Sequence, residues 1–337
     1  MIFKNHNKIG LTGKFLPDNF AQTLAQISVL FGLQNSGGSL GAGRCRADFD
    51  AIRRSRAGAR ALARFNLMEP VPHIDATELR RLATRIRLSA TRMVAIQRLG
   101  YLCQAMSSAE IFAVLFGGGV IRAGYDRFIL SPGHYTICLY AAAAETGLIE
   151  ATKLASYGKD GSELEAIGTE RTPVADLVNG SLGQGLSGAI GFALAARLAG
   201  EDRDTFAFLS DGELEEGQVW EAAMFAGHHR LDRLVVVIDA NNSQVDGPVT
   251  SVTSIEPLAD KWRAFGWRVI EVDGHDVDAL ATAFASRSDG AKPLAVIGRT
   301  EITGRVRAIP PSMDTHFVKL DIALETAIIR ELEAALA

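Results

Sequence analysis

One stretch constrains this chain more than any other. From Ser210 to Gly247 it reads SDGELEEGQVWEAAMFAGHHRLDRLVVVIDANNSQVDG: an acidic turn, a helix pattern, an apolar run and an amide-rich turn. With the apolar run Thr205–Leu209 before it and Leu234–Asp239 within it, the stretch is the pattern of one βαβ crossover. Two parallel strands joined in this way set their carboxyl ends side by side, where open parallel sheets bind ligands. Asp211 stands just beyond the first strand and Asn241 just beyond the second.

The flanking sequence supports a larger sheet of the same kind. Asp75 and Glu78 have capping-box spacing ahead of a helix predicted to run to about Arg98. Ser107–Phe116 reads as a second helix, Arg127–Ser131 as a short strand, and SPGHYT places His134 just past that strand's end. Asn179–Gly200 is a glycine-rich turn running into a helix, whose exposed backbone amides could receive an anion. Further on, a helix is expected near Pro257–Phe265 and a strand at Arg268–Val272. The turn Asp273–Asp276 follows, then a helix to about Arg287, a strand at Leu294–Gly298 and an amphipathic helix over Val318–Leu336. This alternation predicts an α/β fold, a doubly wound and mostly parallel sheet with helices on both faces, occupying residues 71–337.

Residues 1–70 differ in kind. They hold ten Lys/Arg against four Asp/Glu and include the linker-like NSGGSLGAG, so they are expected to form a basic, poorly ordered extension. Contact of this arm with nucleic acid or a membrane surface is the alternative reading. The remainder of the chain is net acidic within an overall charge of −4, which argues against a general nucleic-acid surface. A polyanion bound there needs a cation or aimed backbone amides. The three cysteines, Cys45, Cys103 and Cys138, lack metal-site spacing and are expected to be reduced thiols. No apolar run approaches the roughly 20 residues of a bilayer span, and no secretory leader pattern opens the chain, so a cytoplasmic location is expected.

The crossover can be read as chemistry. Asp211 supplies a hard anionic oxygen, Asn241 a neutral one, and the following turn offers backbone carbonyls, of which Ser243 is best placed. Two diphosphate oxygens and a water would complete the octahedron that Mg²⁺ prefers. For His134 alone a structural histidine is the better reading, and its position beside a strand end brings a functional one level with it.

SDGELEEGQVWEAA followed by DANNSQVDG resembles the thiamine-diphosphate motif of the transketolase family, which begins GDG and ends in an NN or DN pair. DRFILSPGH, NGSLGQGLS, EVDGHD and a histidine after the last strand resemble further transketolase segments in the same order, together spanning roughly residues 77–317. The resemblance implies that Asp211, Asn241 and the Ser243 carbonyl bind Mg²⁺, while Ser210, through its backbone, and Gly212 lie against the diphosphate. It implies that Gly180, Ser181 and Leu182 flank the cofactor rings and that Val245 supports the bent cofactor. His134 and His316 match the histidines near the diphosphate and reacting carbons, and Glu216 and Glu221 match acidic residues linking paired active sites. For the two glutamates a plain solvated helix face is the competing reading.

Complete transketolases carry a second domain with a glutamate that activates the cofactor, together with a third domain. The resemblance therefore implies a separate C-terminal-type partner subunit, an α2β2 assembly and inactivity of this chain alone. Two departures bear on the substrate. Tyr101 stands where the family has the histidine of a GHP segment, and Ala166 stands at a second such histidine. The expected function is transfer of a two-carbon ketol or acyl unit from a ketose or 2-oxo acid donor to an aldehyde acceptor. Alternatives are a subunit of a 2-oxo acid decarboxylating, acyloin-forming enzyme, or a non-catalytic scaffold subunit.

Overall fold

In the computed structural model, the described residues are 75–288 and 290–337. The expectations for residues 1–70 lie outside them. Asp75 accepts the Glu78 N–H at 2.8 Å and starts helix α1, Ala76–Gln97, which ends at Arg98 in the left-handed region with φ 61°. The short strand β1, Leu99–Gly100, follows. Helix α2 spans Leu102–Phe112 and passes into a wider π-type turn, Ala113–Gly117. It thus starts earlier than the serines at 107 and 108 suggested, because Leu102 to Met106 are all buried and continue the apolar packing.

Strand β2, Arg127–Leu130, leads through a single 3₁₀ turn, Gly133–Tyr135, into α3, Thr136–Glu145. The two-residue edge strand β3, Leu177–Val178, precedes α4, Gly185–Ala199. The crossover consists of β4, Thr205–Ser210, a 3₁₀ turn Gly212–Glu215, α5, Gly217–His228, and β5, Leu234–Ala240. After it come α6, Val249–Val252, α7, Leu258–Ala264, β6, Arg268–Asp273, α8, Val277–Ala285, and β7, Leu294–Arg299. Val318–Lys319 forms a strand, β8, rather than the start of the last helix; it pairs antiparallel with β1. Helix α9, Ile322–Leu336, begins after Asp321 caps the Leu324 N–H at 2.7 Å.

Among the described residues the main sheet runs β3-β2-β4-β5-β7-β6, and every adjacent pair is parallel. The strands are apolar almost throughout because both faces are covered. Side-chain alternation assigns them to two cores. Phe206, Phe208, Val235, Val237, Leu294 and Val296 pack with α1, α2, α3 and α8. Ala207, Leu209, Val236, Ile238, Ala295 and Ile297 pack with α4, α5 and α7. From β2 the chain moves outward to β3, whereas from β4 it moves the other way to β5. The carboxyl ends of β2 and β4 therefore flank a switch point, the usual location of a ligand crevice. No described helix is long and apolar enough to cross a membrane.

Candidate functional site

Asp211 and Asn241 are both buried at the ends of hydrogen-bonded neighbours, where Ser210 pairs with Asp239 in register. Asp211 accepts the Gly212 N–H at 2.8 Å through Oδ1 and the Asn242 N–H through Oδ2. The two asparagines divide the turn between them. Asn242 takes the left-handed conformation, φ 56°, which asparagine tolerates, and its Oδ1 accepts the Thr250 N–H at 3.0 Å. Asn241 faces inward, with Nδ2 on Asp239 Oδ2 at 2.9 Å and on Tyr135 Oη at 3.0 Å, and its Oδ1 accepts the Ser243 N–H at 2.9 Å.

Three buried carboxylates lie here: Asp211, Glu213 and Asp239. Their hydrogen-bond partners are hydroxyls, an amide and backbone N–H groups, and none pairs with a cationic side chain among the described residues. Burial, then the Asp239 charge, pushes the Asp211 carboxyl up to about 7. Burial also pushes Glu213 up to about 7, against the hydrogen bonds from Ser131 and Gly183. For Asp239, burial raises the carboxyl while Ser107, Thr300, Tyr135 and Asn241 work against it. Buried acidic oxygens without a countercharge suit a hard cation. No group of three or more His, Cys, Asp or Glu is placed to hold a metal among the described residues. The donor set of one carboxylate, one amide and one carbonyl fits Mg²⁺ only with oxygens supplied by a ligand.

Two amides of the glycine-rich turn are bound within the fold. Gly183 N–H donates to Glu213 Oε1 at 2.7 Å and Gly185 N–H to Ser131 Oγ at 3.0 Å, while Ser131 Oγ donates to Glu213. These two amides are consumed internally, correcting the idea that they await an anion. A Cβ on Gly185 would lie 2.4 Å from that of Ser131, so only glycine lets α4 close onto the end of β2. Gly180 and Ser181 remain exposed and Leu182 is half-buried. Ser210 is buried as the last residue of β4, and a Cβ on Gly212 would approach the Gln244 Cβ to 3.2 Å.

Beyond the strand ends, a cleft of about 990 Å³ is lined by residues including Asn241, Ser243, Val245 and His316. Val245 is 71% exposed there. His134 and His316 meet with ring centroids 5.4 Å apart, and Tyr101 packs against both at 5.3 and 5.7 Å. Burial, then the His316 charge, lowers His134 to about 3, so it is a neutral hydrogen-bonding ring at pH 7. Burial also lowers His316, against the pull of Asp314 and Asp246. Gln104 of α2 donates to the His316 carbonyl at 3.2 Å and ties its loop to the core. Glu216 and Glu221 are both exposed, at the start of α5 and one turn on, and face solvent on this chain rather than the carboxylate cluster.

Asp239, Glu213, Ser131, Tyr135 and Ser107 were not singled out from sequence. An acid inside the apolar run VVVIDA, two residues before Asn241, was the available clue for Asp239. The others become visible only when β2, α2 and β4 are side by side.

Comparisons with known proteins bear on the family and the fold. Residues 79–324 match the family described as transketolase, thiamine diphosphate binding domain. The chain is 40% identical over 262 residues to an uncharacterized transketolase family protein, y4mO, of Sinorhizobium fredii, covering 75% of this chain and 94% of the relative. It is 40% identical over 212 residues to the 6-deoxy-6-sulfo-D-fructose transketolase subunit SqwG of a Clostridium species, covering 62% and 76% of the two chains. The crystal structure of transketolase from Campylobacter jejuni superposes with a TM-score of 0.70 at 24% identity, covering 78% of this chain and 43% of that one, and so attests the fold.

Proposed function

The chain belongs to the transketolase family, through its thiamine-diphosphate-binding domain. From that premise we propose that it is the diphosphate- and Mg²⁺-binding subunit of a two-component enzyme transferring a two-carbon ketol or acyl unit from a donor to an aldehyde acceptor. The observation that carries this reading is the pair of buried strand ends, Asp211 and Asn241, beside uncompensated buried carboxylate. Asp211, Asn241 and the Ser243 carbonyl would hold the metal. Thiamine diphosphate, when bound, would supply the electron sink for making and breaking the C–C bond. The chain's own groups bind, orient and exclude water. Asp211 would anchor a cation that offsets phosphate charge in an acidic domain. Neutral His134 gives or takes a hydrogen bond, while His316, at the cleft, is the better placed to move a proton. The exposed Glu216 and Glu221 are offered to a neighbouring subunit. SqwG is by name a transketolase subunit, which supports a separate partner subunit here as well; that the partner is of the C-terminal type and the assembly α2β2 is part of the proposal.

One observation favours a second reading of the donor. The Tyr101 ring fills the space against His134 and His316 where the family's sugar-reading histidine is expected, which suits a less hydroxylated donor such as a 2-oxo acid. Tryptophan fluorescence titration with thiamine diphosphate, with and without EDTA, tests the cofactor reading. Binding is expected to require Mg²⁺ and to disappear in Asp211→Ala; indifference to both would sink it. Product assays with the partner, offering ketose phosphate or pyruvate as donor, separate the two donor classes. Equal turnover by the chain alone would remove the need for a partner.

A further inference from the structure

A carboxamide has two unlike ends, and only its oxygen can bind a cation. For Asn241 to be a metal ligand, something must decide which end faces the site. Asp239 is the penultimate residue of β5 and Asn241 follows the strand's end, and their side chains meet, with Asn241 Nδ2 donating to Asp239 Oδ2 at 2.9 Å. It is completely buried. Its Oδ2 accepts from Ser107 Oγ at 2.5 Å, Tyr135 Oη at 2.9 Å and Asn241 Nδ2 at 2.9 Å, and its Oδ1 accepts from Thr300 Oγ1.

These donors come from α2, from the turn after β2, from the residue just after β5 and from the residue after β7. The carboxylate is thus fixed from four directions, and Tyr135 is itself held between His134 and Phe208, each 5.0 Å away by ring centroid. Turning the Asn241 carboxamide by half a circle would set its oxygen against the Asp239 carboxylate and strand its N–H groups. The geometry points to Asp239 as a positioning residue that locks the Asn241 carboxamide with nitrogen inward and oxygen presented to the cation. This rests on the metal reading above. Tyr135 and Ser107 extend the same lock, since both also lie within hydrogen-bond distance of Asn241 Nδ2, at 3.0 and 3.3 Å.

The test is Mn²⁺ uptake by the full chain in the presence of thiamine diphosphate, read by electron paramagnetic resonance. In Asp239→Asn the residue at 239 no longer dictates the amide's direction, and Mn²⁺ affinity is expected to fall by about 10–100-fold. The exchanged double variant, Asp239→Asn with Asn241→Asp, reverses the bond, with the amide at 239 now donating and a carboxylate at 241 that presents oxygen to the cation whichever way it turns, and should recover most of that loss. A merely structural role for Asp239 would leave the double variant as poor as the single one. Tyr135→Phe, which keeps the ring, should weaken Mn²⁺ by a smaller factor and serves if Asp239→Asn fails to fold. Parental affinity in both Asp239→Asn and Tyr135→Phe, or no recovery in the exchange, overturns the inference alone. No Mn²⁺ uptake by the parent overturns the metal reading and the inference with it.

Discussion

Both ends of the central sheet contain buried carboxylates, and they are treated in opposite ways. At the amino end, Asp126 precedes β2 and Asp204 precedes β4. Asp126 accepts the Arg122 backbone N–H at 2.9 Å, its guanidinium at 2.9 and 2.7 Å, and the Asp204 N–H at 2.9 Å. Asp204 lies between Arg233 at 3.0 Å and Arg287 at 3.1 Å. At the carboxyl end, Asp211, Asp239 and Glu213 are equally buried but meet only neutral donors. Residues of one chemical type therefore close the structure at one end and leave it electrically unfinished at the other. The unfinished end is the one at the switch point, beside the cleft.

The sharpest way to break this contrast is to remove one acid from each end. Asp211→Ala should lower Mg²⁺-dependent thiamine diphosphate affinity by more than about 100-fold, measured by fluorescence titration, since a direct ligand should matter at least as much as the groups that orient one. The same variant should cost less stability without metal than Asp126→Ala, because the loss of the Gly212 and Asn242 N–H partners is offset by deletion of a buried carboxylate that has no countercharge. Asp126→Ala should do the reverse. It strands two backbone N–H groups and unpairs Arg122, and should destabilise the protein by about 3 kcal/mol in urea unfolding while leaving cofactor affinity intact. Loss of stability in Asp211→Ala comparable to that in Asp126→Ala would erase the distinction.

Protonation offers a finer test. With carboxyls raised to about 7, Asp211 and Glu213 keep protons in the folded state that the unfolded chain releases from about pH 4 upward. Their contribution to metal-free stability therefore falls between about pH 4 and 7 and levels off above that. His134, lowered to about 3, acts with the opposite sign up to its ordinary value, so the useful quantity is the difference between variant and parent. Asp211→Asn should flatten the decline of melting temperature across this window, as should saturating Mg²⁺ with thiamine diphosphate; an unchanged slope in both would show that Asp211 is not the titrating group. Glu110 is a useful internal contrast. Burial pushes its carboxyl up, but Arg87 and His275 outweigh burial and leave it below the ordinary range, so its stabilising contribution is lost as pH falls.

The smallest effect is expected at the aromatic cluster beside His316. Tyr101→Phe keeps the ring packing against His134 and His316 and should leave cofactor affinity within about 2-fold, the scale of one half-buried hydroxyl without a hydrogen-bond partner among the described residues. A change in donor KM in the reconstituted enzyme, with cofactor affinity constant, would assign the Tyr101 hydroxyl to substrate reading.

Much of the fold was legible because strands and helices carry their own periodicity. Thr205–Leu209 and Leu234–Asp239 fall within the observed β4 and β5, and Asp75 caps the helix its capping box announced. The errors lie where local pattern and tertiary packing disagree. Val318–Lys319 has helical neighbours but is drawn into a strand by β1, and α2 extends back to Leu102 because that segment is enclosed on every side. The edge strand Leu177–Val178 is too short to show a period of its own.

The sequence alone determined the crossover, the order of its strand ends, and the pairing of a carboxylate with an amide at their tips, since each depends on residues close together in the chain. It also determined the family, because the order of short motifs survives without coordinates. Only the tertiary structure decided the direction of the Asn241 carboxamide, the neutral state of His134 and the internal use of the Gly183 and Gly185 amides. Each of these depends on burial and on donors contributed by segments far apart in sequence, such as Ser107, Tyr135 and Thr300 around Asp239. Burial and hydrogen-bond direction are properties of the assembled neighbourhood, and no residue carries them alone.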